Sequence, residues 1–360
     1  MNLLQSLILP PFTAIYSAVT RGRLTAYRRG WLSVSQLAAP VISVGNLTTG
    51  GTGKTPLVEW VCRVVAGEVF GSSTSEGSAR KVCVLTRGYG RANPQSQVVV
   101  SDGNQLLAGP RESGDEPYLL AKNLLGSAAV IANPIRSAAG AWAIKNLGTE
   151  VFVLDDGFQH LALSRDLDIV TVDATNPWGG GNLLPYGRLR EPRAGLSRAS
   201  CVVITRTEQV KDVAPIKDEL QRLAPDAPVF SSHMVTAGIH KLDGQPVDAS
   251  SLLSQRVAAF CGVGNPESFF SHLRGEGFAP SLTRAFADHH NYTQADIDRL
   301  VKDATNDGET ILLTTAKDAL KLSELDIGLP CYVLDIRIEI DDAERLVKMI
   351  LKAALQKRLP

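Results

Sequence analysis

Thr48-Thr49-Gly50-Gly51-Thr52-Gly53-Lys54-Thr55 follows directly on the apolar run Val41-Ile42-Ser43-Val44. A strand, a glycine-rich turn and a helix start, in that order, make a cradle for a nucleoside triphosphate. Glycines let backbone N–H groups turn inward on phosphate oxygens, and the helix N-terminus adds the positive end of its dipole. Lys54 is then placed to reach the β- and γ-phosphates, and the Thr55 hydroxyl to ligate Mg²⁺. The common pattern G-x-x-x-x-G-K-[ST] asks for glycine where this chain has Thr48. What remains is nearer to loops built on a double glycine, with Thr49 where those often carry a second lysine.

A second apolar run, Val151-Phe152-Val153-Leu154, ends in Asp155-Asp156. Beside such a loop, a carboxylate at a strand end holds Mg²⁺ or its water shell and offsets charge as a phosphoryl group moves. Asp-Asp-Gly is also good turn chemistry, but the pairing with the glycine loop favours the metal reading. Gly157-Phe158-Gln159-His160 extends the cluster, with His160 a candidate contact to an acceptor sugar. Ser113-Gly114-Asp115-Glu116-Pro117 opens a helix. Ordinary capping by Asp or Ser explains it, while Asp115 could instead accept the proton of an attacking hydroxyl. Asp288-His289-His290-Asn291-Tyr292-Thr293 precedes another helix, with Thr293 and Asp296 spaced as a capping box. A zinc site there lacks a visible third ligand.

Arginines recur after the apolar runs: Arg87 and Arg91 flanking Tyr89, then Arg136, then Arg188 and Arg190. Guanidinium forks suit phosphate oxygens, so some of these can clamp a phosphorylated acceptor or the migrating group. Trp178-Gly179-Gly180-Gly181-Asn182 could close over a substrate. Thr205-Arg206-Thr207-Glu208 stands where guanine-reading proteins place Asn/Thr-Lys-x-Asp, and its departures weaken guanine specificity.

Positioning these groups takes about two domains, as 360 residues suggest. Apolar runs at Lys81–Thr86, Ala128–Ala132, Val151–Leu154, Ile169–Val172 and Cys201–Thr205 alternate with helical stretches such as Pro117–Leu125 and Pro134–Asn146. The pattern predicts an α/β fold: a P-loop-type, mostly parallel sheet with helices on both faces and ligands beyond the strands' carboxyl ends. A second, smaller α/β domain follows. The expected divisions are an N-terminal apolar and basic segment (1–35), the nucleotide domain (36–226), the smaller domain (227–340) and an amphipathic helix (341–360). Residues 227–241 read as an extended connection, and 71–78 as a Gly/Ser-rich surface loop.

Formal net charge is zero, which gives no reason to expect nucleic-acid binding. Five singly scattered cysteines fit a reducing compartment and argue against a disulfide framework or zinc ribbon. The chain's first acidic residue is Glu59, after Arg21, Arg23, Arg28, Arg29 and Lys54. These basic residues trail an apolar stretch too interrupted to span a bilayer, which needs about 20 apolar residues. A cleaved signal peptide would carry its basic residues first. The order here suits a segment lying in an anionic membrane surface, with packing on the protein's own core as the competing reading.

Together these motifs resemble the tetraacyldisaccharide 4′-kinase (lipid A 4′-kinase) family of Gram-negative bacteria. The resemblance runs through Gly45–Pro56, Thr86–Arg91, Gly114–Pro117, Asp155–His160, Asn182–Pro192, Asp288–Thr293 and Thr314–Leu322. It implies ATP- and Mg²⁺-dependent phosphorylation of the 4′-hydroxyl of an acylated glucosamine disaccharide 1-phosphate at the cytoplasmic face of the inner membrane. It also implies roles: Lys54 and Thr55 for triphosphate and Mg²⁺, Asp155 and Asp156 as metal and catalytic carboxylates, Asp115 paired with His289 as general base. Arg87, Tyr89, Arg136, His160 and Arg190 would serve the acceptor, with no obligatory protein partner. One departure is Ala316 in Thr315-Ala316-Lys317-Asp318, where the family commonly has glutamate. The competing functions are a double-glycine switch or chaperone NTPase acting on a protein partner, and a membrane-binding module with a degenerate loop.

Overall fold

Apolar runs without polar alternation, such as Val82–Thr86, Val151–Asp155 and Cys201–Thr205, are buried along their whole length. Strands of that kind belong to parallel sheets covered on both faces. The structure is a computed structural model that describes residues 3–71 and 81–356, with side chains from residue 9. The Gly/Ser-rich loop read at 71–78 falls, from residue 72, outside the described residues.

In chain order, α1 (Leu3–Arg28), β1 (Val41–Asn46), α2 (Lys54–Phe70), β2 (Val82–Thr86), β3 (Val98–Ser101), α3 (Pro110–Ser113) and α4 (Asp115–Asn123) come first. Then follow β4 (Ala129–Ala132), α5 (Arg136–Leu147), β5 (Val151–Asp155), β6 (Leu167–Asp173), β7 (Cys201–Thr205) and α6 (Ala214–Leu223). These belong to unit 1, and the chain leaves it within β8 (Val229–Lys241). Unit 2 holds β9 (Pro246–Val247), β10 (Val257–Cys261), α7 (Pro266–Gly275), β11 (Leu282–Ala285), α8 (Gln294–Asn306), β12 (Ile311–Thr315), α9 (Ala316–Ala319) and most of β13 (Cys331–Ile340). α10 (Ala343–Ala354) belongs to unit 1 again.

In unit 1 the strand order is β8-β7-β6-β1-β5-β2-β4-β3. Neighbours run parallel except β3, which is antiparallel to β4. β1 lies between β5 and β6, so the connections reverse direction there, and the crevice beyond its carboxyl end is where such sheets bind ligands. α2 packs on β1, β2 and β5. Alternate residues Cys83, Leu85, Phe152 and Leu154 join Ala139 and Ala143 of α5 in a separate core layer. α10 buries Leu346, Ile350 and Ala353 and contacts α2, β1 and β6, so the C-terminal helix completes the nucleotide domain. All five cysteines are buried and free.

Unit 2 has its own parallel order β11-β10-β12-β13, with β9 antiparallel to the far end of β8. Its core is built on Phe260, Phe269, Phe270, Leu312 and Leu313. The stretch expected as a connection at 227–241 is strand β8. Its polar and half-exposed residues hide it from a pattern search tuned to continuous burial.

Candidate functional site

The nucleotide loop sits where β1 ends and α2 begins at Lys54. Left-handed backbone occurs at Gly50 (φ 110°) and Gly53 (φ 75°), the two positions where the loop needs glycine. Thr48 pairs in antiparallel fashion with Leu189, and the Thr49 amide donates to the Arg188 carbonyl at 2.7 Å. Thr48 and Thr49 therefore hold the start of the loop to the 182–192 segment, and extended backbone there has no need of glycine. From the other side, the Thr205 hydroxyl donates to the Thr52 carbonyl at 3.0 Å, and Arg206 donates to the Gly51 carbonyl at 2.7 Å. Arg206 also pairs with Asp173 at the end of β6. In place of the base-reading lysine of guanine binders, this chain has an arginine committed to the loop. The sequence concealed that role, because the left-handed backbone of Arg206 (φ 59°) is what aims it.

Lys54 Nζ lies 3.1 Å from Asn46 Oδ1 and 3.5 Å from Asp156. Both Asp156 oxygens accept from Arg190, at 2.7 and 2.6 Å. Burial alone would raise the Asp156 pKa, but Lys54 and Arg190 outweigh it and hold the carboxyl below its ordinary range. Asp155 behaves oppositely. Burial, followed by the charges of Asp156 and Glu116, pushes it up to about 6, against the pull of Lys54 and a 2.8 Å hydrogen bond from Thr86. A buried carboxylate crowded by like charge is a donor whose ionised form a cation would favour. With the Thr55 hydroxyl at the start of α2, the oxygen-only donor set fits Mg²⁺, which keeps water and phosphate among its ligands.

Asp115 is the first residue of α4, and the cap is Gly114 without a side-chain bond, which corrects the expectation of Asp or Ser as the cap. Gly114 has φ 89°, and a Cβ there would stand 2.3 Å from the Tyr89 carbonyl oxygen. This close approach sets half-buried Asp115 beside the Thr86–Arg91 loop. Arg87 stacks on the exposed Tyr89 ring at 5.7 Å. Arg136 is buried at the start of α5, where burial lowers its pKa and the charges of Asp155 and Asp156 oppose that. His160 is brought down to about 4 by burial and by Arg136, Arg165, Arg23 and Arg87, so its imidazole is neutral near pH 7. Arg91 is no phosphate clamp: it is buried and donates to the Ala132 and Pro94 carbonyls. Trp178, read as part of a closing loop, is pinned to Glu219 at 2.8 Å.

His289 lies in unit 2 with left-handed backbone (φ 60°). Lys317 Nζ is 3.3 Å from His289 Nε2 and 3.2 Å from Asp288. Buried Asp318 accepts from the Gly262 amide and the Tyr292 hydroxyl, both at 2.9 Å, which fixes the loop. His290 bonds Asp296 at 3.2 Å and stacks on Phe286, an arrangement that holds the loop in place. The Thr293–Asp296 capping box forms as its spacing predicts. Among the described residues, no three His, Cys, Asp or Glu side chains gather to hold a metal.

Residues 5–355 match the family described as tetraacyldisaccharide-1-P 4′-kinase. The chain belongs to that family. A tetraacyldisaccharide 4′-kinase of Anaeromyxobacter sp. (strain K) is 42% identical over 97% of this chain and 88% of its own length. One from Syntrophotalea carbinolica is 39% identical over 91% of this chain and 86% of its own. The solved LpxK of Aquifex aeolicus, an "apo" form in complex with ATP, is 31% identical with a TM-score of 0.74, covering 98% of this chain and all of that one.

Proposed function

We propose that the protein transfers the γ-phosphate of ATP to the 4′-hydroxyl of a tetraacylated glucosamine disaccharide 1-phosphate. The observation that carries this reading is the grouping of Lys54, Asp155 and Asp156 at the carboxyl ends of β1 and β5 in a chain of the 4′-kinase family. Gly50–Gly53 cradle the triphosphate, and Lys54 draws charge from its outer phosphates. Thr55, Asp155 and Asp156 would hold Mg²⁺, which supplies charge neutralisation on the phosphate oxygens. Asp115 accepts the proton of the 4′-hydroxyl, and His289 assists as the family resemblance implies. Arg87, Tyr89, Arg136, neutral His160 and Arg190 orient the acceptor. Phosphoryl transfer asks for positioning and charge stabilisation more than covalent chemistry, and this donor-rich crevice suits that demand.

The membrane surface is the second part of the proposal. Among the described residues no helix is long and apolar enough to cross a bilayer. α1 nevertheless leaves Phe12, Ile15 and Val19 more than half exposed, and Trp31 follows at 69%. Spaced at i, i+3 and i+7 and followed by arginines, they suit a helix lying on the anionic cytoplasmic leaflet, where the acylated acceptor resides.

The test is transfer of ³²P from ATP or GTP, with Mg²⁺ present or chelated, to the lipid disaccharide and to water-soluble sugars. Transfer from ATP to the lipid acceptor, lost on chelation, is expected. Hydrolysis that needs no acceptor and prefers GTP would indicate a switch NTPase instead.

A further inference from the structure

α1 does more than carry an apolar stripe. On another face of the same turns, the Thr13 hydroxyl accepts from the Tyr186 amide at 3.3 Å, and the Tyr16 hydroxyl donates to the Arg190 carbonyl at 2.9 Å. Both partners lie in the 182–192 segment. That segment is joined to the nucleotide loop through Thr48–Leu189, Thr49–Arg188 and a 2.7 Å bond from the Arg190 amide to the Leu47 carbonyl. The backbone of Arg190 is thus held on its N–H by Leu47, the residue after β1, and on its C=O by Tyr16. Its guanidinium then grips both oxygens of Asp156 and reaches Gln159 at 3.4 Å. An arginine side chain has many rotamers, so where its fork lands depends on where its backbone is held.

We infer that Tyr16 is a positioning residue for phosphoryl transfer, through which α1 sets the Arg190–Asp156 pair. The inference rests on the kinase reading above. It makes α1 part of the transfer machinery as well as an anchor, and it assigns the two duties to different faces: Phe12, Ile15 and Val19 to the lipid, Thr13 and Tyr16 to the 182–192 segment. A misplacement of reacting groups by a fraction of an ångström to an ångström lowers turnover without loss of binding.

Kinetics of Tyr16→Phe, Arg190→Lys, the double variant and Phe12→Ser/Ile15→Ser, with the lipid acceptor in mixed micelles, decide the matter. Removing only the Tyr16 hydroxyl is expected to lower kcat about tenfold, with acceptor KM within about twofold and vesicle binding unchanged. The double variant should be no slower than Arg190→Lys alone, since both changes act on one pair. Phe12→Ser/Ile15→Ser should lose vesicle binding and act on the KM for the micellar acceptor, the parameter that Tyr16→Phe leaves alone. A wild-type kcat in Tyr16→Phe, additive losses with Arg190→Lys, or an equal kcat loss in the apolar-face variant would each overturn the proposal. Wild-type protein that transfers nothing to the acceptor would overturn the kinase reading itself, and this proposal with it.

Discussion

Two adjacent carboxylates carry opposite electrostatics. Asp156, gripped by Lys54 and Arg190, stays ionised well into acid, whereas burial and like charge lift Asp155 to about 6. The linkage for Asp155 has a definite sign. Its folded pKa lies above its unfolded value near 3.9, so from about pH 4 to 6 the native state holds a proton that the unfolded chain has released. Its contribution to stability is greatest below that window and declines as pH rises through it. Asp155→Asn removes the buried charge while leaving an oxygen for the Thr86 hydroxyl. The thermal midpoint of the nucleotide-free variant at pH 8 is therefore expected to rise by about 2–4 °C. The same variant should lose the stabilisation that Mg²⁺ with ATP confers on the wild type. Calorimetry at pH 4 to 8, with and without Mg²⁺–ATP, measures both. A midpoint that falls at pH 8 would contradict the burdened-carboxylate account.

At the level of elements, Lys54, Thr55, Asp115, Arg136, Asp155 and Asp156 get their places from strand ends or helix starts, and the glycines there are specific. Gly114→Ala would need left-handed backbone in a residue that disfavours it and would drive a Cβ onto the Tyr89 carbonyl. The expected cost is about 1–3 kcal/mol, with kcat reduced because Asp115 follows directly. Asp115→Asn should instead lose turnover at nearly full stability, so denaturant melts and kcat together separate geometry from proton transfer. A fully stable, active Gly114→Ala would refute the close contact. The buried strands of unit 1 were legible in sequence because both faces are covered and no polar alternation interrupts them. The four-residue strands β3 and β11 were not: β3 is three valines and a serine, too short a run to set a period, and β11 interrupts its apolar residues with Thr283 and Arg284. Among the arginines, composition could not separate Arg91, spent on carbonyls in the interior, from exposed Arg87 four residues before it. The absence of glycine at Thr48 looked like a defect from its pattern alone. Its pairing with Leu189 makes it the stitch between the nucleotide loop and the 182–192 segment.

For the whole molecule, the two residues proposed for acid–base work belong to different units, Asp115 to unit 1 and His289 to unit 2. Each is held locally. Gly114 against Tyr89 sets Asp115, while Lys317 and Asp318 fix the loop that bears His289. The nucleotide loop draws its own support from Asn46, Arg188, Thr205 and Arg206 within unit 1. Removing either Asp115 or His289 should therefore leave ATP affinity unchanged and strike turnover. Asp115→Ala is expected to lower kcat by about 10²–10⁴-fold, the usual worth of a positioned general base. If the two residues act as one unit, the double Asp115→Ala/His289→Ala variant will be no slower than the slower single, because the second change removes nothing that still functions. Multiplicative losses would mean that His289 serves the reaction separately, through the acceptor or the phosphates. Lys317→Met adds a further arm: the His289 side chain stays, but its neighbouring cation is gone. That variant is expected to lower kcat, and an unchanged kcat would remove Lys317 from the reaction while leaving the Asp115–His289 test intact.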